Sequence, residues 1–540
     1  MRSGAGWWRR AAIYQIYLRS FCDGNGDGVG DLLGARARLP YVADLGADAI
    51  WFNPWYRSPM QDGGYDVADY RSIDPLFGSL EEAEKLIVEA HELGLRVIID
   101  IVPNHGSVEH PWFREALLAG PGSTARERFH FRAGRGPSGD MPPNNWQSVF
   151  GGPAWSRTTS PEGRRGEWYL HLFAPGQPDL NWANPEVRAE FDSILRFWLD
   201  RGADGFRVDS ATMLTKDPAL PDYEAGTRPG EGHPYVDRDD VHDVYRRWRA
   251  VLDTYPDERV LVGEVWLADA DRLARYLRAE EMHSAFNFNF LRCPFDAARF
   301  HQVIDATLAS HAKVGAAPTW VLSNHDVVRA VTRFGRDDTV GVDPGADDGG
   351  PFDPALGTRR ARAAALLSTS LPGAVYVYQG EELGLPEVLD LPREAIQDPI
   401  WERSGHRWRG RDGCRVPLPW SGDRPPFGFT KGPSRPWLPQ PSDWARLAAA
   451  RQEDDPSSML SLYRRALRGR RNEPALQSEE LEWVDSPEGV LAFRRGRDIV
   501  VVVNCTDHPV DLPPHKASVL TSEPLLGGRL GPDAAAWLRT

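Results

Sequence analysis

The chain has 540 residues, which is too long for one ordinary hydrophobic core and therefore predicts two or three domains. Its charged fraction of 26% and hydrophobic fraction of 41% are typical of globular proteins. The net charge of −14 argues against nucleic acid as a partner, because binding to phosphates needs a basic surface.

The cysteines and the apolar segments indicate the compartment. Cys22, Cys293, Cys414 and Cys505 are scattered without C-x-x-C spacing, which favours a reducing compartment without a zinc site, although disulfides between distant pairs stay open. The first residues lack the apolar core of a secretory signal, and no stretch approaches the length of a membrane helix. We therefore expect a cytoplasmic protein with no membrane partner. The sequence does not fix the oligomeric state, and a monomer or homodimer is expected.

Residues 23–31, DGNGDGVGD, place oxygen-bearing side chains at close spacing. A surface turn is one interpretation, because Asp, Asn and Gly are common turn residues. A loop that binds a hard cation is the other, because such ions need about six to eight oxygen ligands. Position twelve is Gly34, so the Glu of an EF-hand is missing. The candidate ligands are the side chains of Asp23, Asn25, Asp27 and Asp31 and the backbone carbonyl of Val29.

Eight short apolar runs alternate with longer amphipathic stretches such as 79–94 and 184–202. Alternation of this kind predicts parallel βα units, and eight of them predict an α/β protein built on a (β/α)₈ TIM barrel. A doubly wound open sheet is the alternative, but no G-x-G-x-x-G follows the first run. The runs are AIYQIYL (12–18), AIWFN (49–53), RVIIDIV (96–102), GFRVDS (205–210), VLVGEV (260–265), AFNFNF (285–290), TWVLSN (319–324) and AVYVYQG (374–380).

Long segments between and after these runs divide the chain. About eighty residues, 104–183, are too many for a plain loop and predict an inserted subdomain within a barrel formed by 1–103 and 184–472. A second long segment covers 384–450, and the Asp- and Gly-rich stretch 341–354 predicts a loop. The pattern of 458–471 predicts the last barrel helix. Short β-type runs then predict a C-terminal antiparallel β-domain over 473–540.

Polar residues follow the predicted barrel strands at the ends where active sites of this architecture lie. Arg207 and Asp209 are two apart on one strand and therefore point the same way, so Arg207 favours an ionised Asp209. Glu264 follows an apolar run on the next strand, which favours a protonated acid. A single buried Asp–Arg pair is more often structural; the joint occurrence favours catalysis. The remaining strand-end residues are Asp100, Asn104, His105, Asn324, His325 and Asp326.

The pairing of one ionised and one protonated carboxyl is what glycoside hydrolysis requires. Adjacent strands lie about 5 Å apart, which matches the carboxyl separation of roughly 5–5.5 Å in retaining enzymes.

Six segments resemble the α-amylase family, glycoside hydrolase family 13. The resemblance covers nearly the whole chain, and its motifs occur in order at the predicted strand ends. The segments are DIVPNH (100–105), QPDLNW (177–182), GFRVDS (205–210), GEVW (263–266), SNHD (323–326) and YQGEELGL (378–385).

The resemblance implies a role for each strand-end residue. Asp209 would be the nucleophile, Glu264 the acid/base and Asp326 the group that stabilises the transition state. Contacts to the glucose in the cleaved site are implied for His105, Arg207, His325 and Arg329. The family likeness also implies that 104–183 is the B domain and that the tail is the C-terminal β-domain.

A closer likeness is to the branch of α-glucosidases and oligo-1,6-glucosidases, of the actinobacterial α-glucosidase type. DGGYDVADY (62–70) matches that branch and supplies Asp62 and Tyr65, while 149–155 and 171–173 offer Phe150 and Phe173 as walls. RDGCRVPLPW (411–420) is similar to the branch motif but departs from it at Val416 and Leu418. It implies Arg415 as the partner of Asp62, closing the pocket behind one terminal glucose. The branch also carries a D-x-N-x-D-x-x-x-D loop that binds a structural Ca²⁺ or Mg²⁺, which favours the cation reading of 23–31.

The resemblance therefore implies a retaining, exo-acting α-glucosidase that acts on a small oligosaccharide and needs no organic cofactor. Ser210, the residue after the presumed nucleophile, is often Val in α-1,6 enzymes and smaller in α-1,4 enzymes, so we expect cleavage of α-1,4 bonds. An oligo-1,6-glucosidase or a glucosyl transferase or isomerase similar to trehalose synthases is the alternative. An amylase-like scaffold without catalysis is disfavoured, because all the catalytic carboxylates are present.

Overall fold

The computed structural model describes residues 6–159, 163–224, 226–227, 230, 232–336 and 350–540. Eight parallel strands form the central sheet, as the apolar runs predict, because strands buried on both faces read as continuous apolar sequence. They are paired in the order 6-5-4-3-2-1-8-7. The barrel strands, numbered one to eight, are Ala12–Ile16, Ala49–Phe52, Arg96–Ile101, Gly205–Val208, Val260–Gly263, Ser284–Ala285, Thr319–Val321 and Ala374–Tyr378.

Strands six and seven close the barrel through a side chain, since the Thr319 hydroxyl donates to the Ala285 carbonyl. The sequence predicts a sixth strand over 285–290, and this is wrong in extent. The strand ends at Ala285, and a short helix, Phe288–Leu291, follows because the Asn287 side chain accepts the Phe290 N–H and caps it.

Helices surround the barrel and begin where the sequence supplies caps. Leu80–Glu92 begins with a capping box formed by Ser79 and Glu82, and Pro185–Leu199 begins after Asn184, whose side chain accepts an N–H. Each helix buries an apolar stripe against the strands. The other helices packed around the barrel are Leu32–Leu45, Val241–Leu252, Ala270–Arg275, Ala297–Ala312, Ala330–Phe334, Pro354–Ser370 and Met459–Asn472.

Residues 104–183 leave the barrel after strand three and contain their own small sheet. Its strands are Phe131–Arg132, Trp155–Thr159 and Arg165–Leu170, with the last one in the middle and both pairings antiparallel. The helix Pro111–Ala119 precedes them. Bridges between His105 and Asp179 and between Phe129 and Leu180 hold the two ends of the segment together. The segment thereby sits directly beside the end of strand three.

The C-terminal region is a five-stranded antiparallel sheet. Its strands in spatial order are Leu481–Trp483, Val490–Arg495, Ile499–Asn504, Ala534–Arg539 and Ala517–Thr521. The strand Ala534–Arg539 is hard to predict from the sequence, because its alanines carry little β signal. This strand lies inside the sheet and places Trp537 against the barrel, where its indole N–H donates to the Leu366 carbonyl at 3.1 Å.

The segment 384–450 has little regular structure beyond the helix Pro399–Arg403 and short turns. Arg403 donates to the carbonyls of Gly151 and Pro153, so the segment touches the inserted subdomain. Of the predicted loop 341–354, residues 341–349 lie outside the described part of the chain. Among the helices described, none is long and apolar enough to span a membrane.

Candidate active site

A cavity of about 310 Å³ opens at the carboxyl ends of the barrel strands, where a barrel of this kind carries its site. Its buried lining, called here the inner pocket, consists of Asp62, Tyr65, His105, Asp209, Glu264, Asp326 and Arg411. Its more exposed lining, called here the pocket mouth, consists of Val149, Met213, Val236, Trp266 and Arg292. Phe150, Phe173, Ser210 and Thr212 complete the walls.

Arg207 organises the carboxylates from below the pocket. It is 1% exposed, and its guanidinium lies 2.8 Å from Asp100, 2.7 Å from Asp209 and 2.8 Å from Glu264. Strands four and five pair Val208 with Gly263, so the residues that follow them, Asp209 and Glu264, lie side by side. The arrangement sets three carboxyl groups around one cation. The contact between Arg207 and Asp209 follows from their two-residue spacing on one strand.

Ser210 touches both carboxyl groups. Its backbone N–H donates to Glu264 Oε2 at 2.8 Å, and its hydroxyl donates to Asp209 Oδ2 at 2.9 Å. Its φ of 49° lies in the left-handed region, which is unfavourable for a residue with a side chain and occurs often at functional sites. The turn after strand four is therefore bent so that one residue serves the two carboxyls.

The environment separates the proton affinities of the three acids. Burial raises the pKa of Glu264 to about 7, and the charges of Asp209 and Asp326 add to the rise against the effect of Arg207. Burial also raises the pKa of Asp209, but Arg207 and the Ser210 hydroxyl oppose it. Glu264 is thus suited to hold a proton near neutral pH, as a general acid must.

Asp326 is held ionised by two arginines. Burial disfavours its charge, but the guanidinium groups of Arg411 and Arg415 lie 3.1 Å and 2.9 Å from its Oδ1 and bring its pKa below the usual range. A carboxylate fixed in this way can stabilise positive charge beside it without taking up a proton.

The expected pairing of Asp62 with Arg415 is corrected by the structure. Asp62 pairs with Arg411 at 2.7 Å, and the same guanidinium binds Asp398 at 2.6 Å. Arg415 instead donates to Asp326 and to the His325 carbonyl. A single 3₁₀ turn, Asp412–Cys414, separates the two arginines. Both side chains reach Asp326, but only that of Arg411 also pairs with Asp62.

Tyr65 and His325 form a buried network beside the carboxylates. The Tyr65 hydroxyl lies 2.7 Å from His325 Nε2 and 3.0 Å from Asp100, and the two rings stack with centroids 5.4 Å apart. His325 Nδ1 lies 2.8 Å from the amide of Gln15. Burial lowers the pKa of His325 well below its ordinary value, so the imidazole is neutral. The network holds Tyr65 in the pocket wall.

His105 and the aromatic walls adjoin this network, because His105 Nε2 lies 3.2 Å from the Tyr65 carbonyl. Burial lowers the pKa of His105 to about 4, and its ring lies 4.9 Å from that of Phe173. Phe150 packs against Phe173 and beneath the Arg411 guanidinium, 5.0 Å from the ring centroid. Gln177 donates to Asp62 at 2.9 Å. The predicted wall residues thus meet at the Asp62 end of the pocket.

Arg329 lies apart from the pocket, which corrects the expected glucose contact. It is 1% exposed, and its guanidinium donates to the carbonyls of Gln379 and Cys414. Its side chain is therefore occupied in joining strand eight to the segment that carries the pocket arginines. Arg207 and His325 are equally buried, but they bind lining residues directly.

Several site residues were missed by the sequence reasoning. Arg411 lies in the quoted motif RDGCRVPLPW, so its signal was present. Trp266 lies in the quoted GEVW, and its indole N–H donates to Glu264 Oε1 at 2.9 Å. Met213, Val236 and Arg292 carry no comparable signal, because apolar and basic side chains on loops look alike wherever they lie.

Lys216 is a further residue that the sequence did not reveal. It is buried, and its ammonium lies 2.7 Å from Asp179 and 2.7 Å from the Asn104 side-chain oxygen. It also donates to the backbone carbonyls of Met213 and Leu214. This ammonium therefore ties the loop after strand four to the inserted subdomain.

The loop 23–31 has oxygen donors of the type that hard cations prefer. Asp23 and Asp31 are buried and accept backbone N–H groups of the loop and of Gly34, while Asn25 and Asp27 are exposed. In the described part of the chain, no group of three or more His, Cys, Asp or Glu side chains is placed so that it could hold a metal ion. The donor chemistry of the loop thus fits a cation, whereas its three Asp side chains are not gathered around one point.

Comparison with known proteins agrees with this architecture. The alpha-amylase catalytic domain family matches residues 15–479. A probable α-glucosidase of Rhizobium meliloti is 41% identical over 91% of this chain and 87% of its own length. An oligo-1,6-glucosidase of Parageobacillus thermoglucosidasius is 34% identical over 86% of this chain and 84% of its own length.

A solved structure of similar shape is that of XgtA, described as an α-glucosyl transfer enzyme. It is 38% identical and superposes with a TM-score of 0.84 over 99% of both chains. The match of the catalytic domain over most of the chain and the identity to curated glucosidases lead to one assignment. The chain belongs to the α-amylase family and is a glycoside hydrolase.

Proposed function

We propose that the protein is a retaining, exo-acting α-glucosidase that removes terminal α-1,4-linked glucose from maltose and short malto-oligosaccharides. One observation carries the proposal: the Asp62–Arg411 ion pair, buttressed by Asp398, lies in the inner pocket with the three carboxylates. Such a pair presents a carboxylate and a planar guanidinium, which suit bidentate hydrogen bonding to neighbouring sugar hydroxyls. A pocket ended in this way holds one terminal sugar.

The first chemical step uses the two carboxyls that share Arg207. Asp209 attacks the anomeric carbon while Glu264 gives its proton to the glycosidic oxygen, so the C–O bond breaks as the leaving sugar becomes neutral. Asp326 lies close enough to the site to stabilise the positive charge that develops on the sugar ring. The pKa of about 7 for Glu264 keeps the acid protonated at the start of the reaction.

The second step releases glucose. Glu264, now ionised, takes a proton from water, the water oxygen attacks the anomeric carbon, and Asp209 leaves as a carboxylate. Two inversions give net retention. The side-by-side placement of Asp209 and Glu264 on adjacent strands supports this course over the inverting one, which needs a wider gap for water.

The preference for α-1,4 bonds rests on Ser210. Its small side chain donates to Asp209 and leaves more room above the nucleophile than a branched apolar residue would. The α-1,6 alternative is kept because a curated relative is an oligo-1,6-glucosidase.

The test is a parallel assay on maltose, isomaltose, trehalose, sucrose and maltotriose, followed in time by NMR. Glucose released first as the α-anomer, and fastest from maltose, is the expected result. Faster cleavage of isomaltose would keep the mechanism and overturn the linkage. Glucose released first as the β-anomer would overturn retention, and inactivity on all five sugars would overturn the proposed substrate class.

Glucosyl transfer, including isomerisation similar to that of trehalose synthases, is the second candidate. The pocket mouth contains Val149, Met213 and Val236, whose apolar side chains suit an acceptor other than water, and XgtA is described as a transfer enzyme. A sugar hydroxyl would then replace water in the second step. At high maltose concentration, a main product with two or more linked glucose units would favour transfer, whereas glucose alone would favour hydrolysis.

We further propose that the loop 23–31 binds a structural Ca²⁺ or Mg²⁺ that takes no part in the chemistry. Its ligands would be Asp23, Asn25, Asp27, Asp31 and the Val29 carbonyl, none of which lines the pocket. Removal of the cation by a chelator is expected to lower the thermal unfolding temperature, and added Ca²⁺ to restore it. An unchanged unfolding temperature would contradict the site.

The cytoplasm is the proposed compartment and a small oligosaccharide the proposed partner. The four cysteines are free thiols, of which Cys22, Cys293 and Cys414 are buried, and this is consistent with reducing surroundings. We propose a monomer or homodimer that binds no nucleic acid, and size-exclusion chromatography with light scattering would test the oligomeric state.

A further inference from the structure

Trp266 is held in the pocket mouth between two other side chains. Its ring stacks on Phe288 with centroids 3.4 Å apart and an interplanar angle of 8°, and the Arg292 guanidinium lies 4.9 Å from its ring centroid. Its indole N–H donates to Glu264 Oε1 at 2.9 Å. Because the ring is fixed by this stack, the direction of the N–H is fixed as well.

The other oxygen of Glu264 is already occupied. Oε2 accepts the Ser210 N–H at 2.8 Å and lies 2.8 Å from the Arg207 guanidinium. A proton on Oε2 would face a hydrogen-bond donor and a cation, and both interactions would be lost. A carboxylate has about four lone-pair positions, two on each oxygen. With two taken on Oε2 and one on Oε1 by Trp266, a single position on Oε1 stays free.

We propose that Trp266 is a positioning residue for the acid/base: it fixes the transferable proton of Glu264 on the remaining lone pair of Oε1 and favours the ionised form of Glu264. The part of this inference that concerns the leaving sugar rests on the proposed function. Trp266 does not itself give or take a proton, because an indole N–H only donates.

The charges around Glu264 define what removal of the indole N–H would change. Arg207 and Asp209 face it from strand four, Asp326 from strand seven, and Arg292 lies beyond Trp266. These groups stay in place when only the N–H is removed. A hydrogen bond to the charged form lowers a pKa, so its loss raises the pKa of Glu264. The basic limb of the pH profile of kcat/KM then moves to higher pH, because Glu264 stays protonated to higher pH.

The variant Trp266→Phe removes the N–H and keeps an aromatic ring between Phe288 and Arg292. Trp168→Phe is the matched control. It also removes an indole N–H, which donates to the Gly139 carbonyl at 3.0 Å, but Trp168 does not line the pocket. Glu264→Gln identifies the signal of Glu264 in proteins labelled with ¹³C at the glutamate carboxyl.

The first measurement is the titration of Glu264 by ¹³C NMR, without substrate, in the wild-type protein, in Trp266→Phe and in Trp168→Phe. We expect its pKa to rise by about one unit in Trp266→Phe and to stay unchanged in Trp168→Phe. An unchanged value in Trp266→Phe would overturn the inference. Since this titration needs no turnover, it decides the matter even if the protein proves inactive on maltose, which would overturn the proposed function alone.

The second measurement compares leaving groups. 4-Nitrophenolate leaves with little help from an acid, whereas glucose from maltose needs the proton. Trp266→Phe is expected to lower kcat on maltose about tenfold and kcat on 4-nitrophenyl α-glucoside about twofold at most. Equal losses on both substrates would indicate a merely structural role for Trp266 and would overturn the proposal.

Discussion

The inner pocket and the pocket mouth differ in the kind of side chain that lines them. In the inner pocket every charge has a fixed partner: Arg207 joins Asp209 and Glu264, and Arg411 joins Asp62 and Asp326. The mouth offers mainly apolar side chains from loops, and Val149 is 54% exposed. Under the proposed function, the chemistry would depend on the buried ion pairs of the inner pocket, whereas the choice of leaving group or acceptor would depend on contacts in the pocket mouth.

Loss of Asp209, the proposed nucleophile, should give the largest effect of any change in the inner pocket. Asp209→Asn is expected to lower kcat by at least about four orders of magnitude, equivalent to roughly 5 kcal/mol or more, because no covalent intermediate forms. Turnover of maltose measures it. Asp253→Asn, an exposed change at a helix end, should leave turnover unaltered. Ordinary activity in Asp209→Asn would remove Asp209 from the mechanism.

Lys216 ties the loop that carries Met213 to the inserted subdomain, and its loss should lower the stability of the fold. Lys216→Met leaves the Asp179 carboxylate buried without its 2.7 Å partner, which costs about 3–5 kcal/mol. Denaturant unfolding measures the change, and Lys313→Met, which removes an exposed ion pair with Asp271, should cost less than about 1 kcal/mol. Equal stability of the two variants would mean that the buried ion pair does not hold the loop.

A substitution of Arg411 tests whether the inner pocket recognises one terminal sugar. Arg411→Met is expected to lower kcat/KM on maltose about a hundredfold, because Asp62 and Asp398 lose their cation and the sugar loses a donor. Arg407→Met changes a residue of the same segment that bonds only locally, to Ser404, and should retain activity. A wild-type value in Arg411→Met would show that the ion pair does not form the end of the pocket.

Substitutions in the pocket mouth should have the smallest effects on the kinetics. Met213→Ala is expected to change KM for an apolar glucoside by a few-fold and to leave kcat on 4-nitrophenyl α-glucoside nearly constant, since a partly exposed side chain contributes only about 1–2 kcal/mol. Steady-state kinetics on glucosides with short and long alkyl groups measure it. A large fall in kcat instead would place Met213 with the chemistry and remove the contrast between the two regions.

Much of the barrel and of the inner pocket could be predicted because the signals are local. Buried parallel strands are continuous apolar runs, and a polar residue just after such a run lies at the carboxyl end of the barrel. Asp209 and Glu264 were assigned this way, and their side-by-side placement follows from strand register alone. The sixth strand was predicted too long because a side-chain cap, which depends on one Asn, ends it early.

The sequence by itself determined the barrel, the family and the strand-end carboxyl groups, because these depend on a series of short segments, each of which can be recognised locally. Only the tertiary structure decided which arginine meets Asp62, where Lys216 goes and how Trp266 approaches Glu264. Arg411 and Arg415 are of one residue type and four positions apart, so no local rule separates them. Their partners come from distant parts of the chain, and the packing of a long irregular segment against the barrel selects between them.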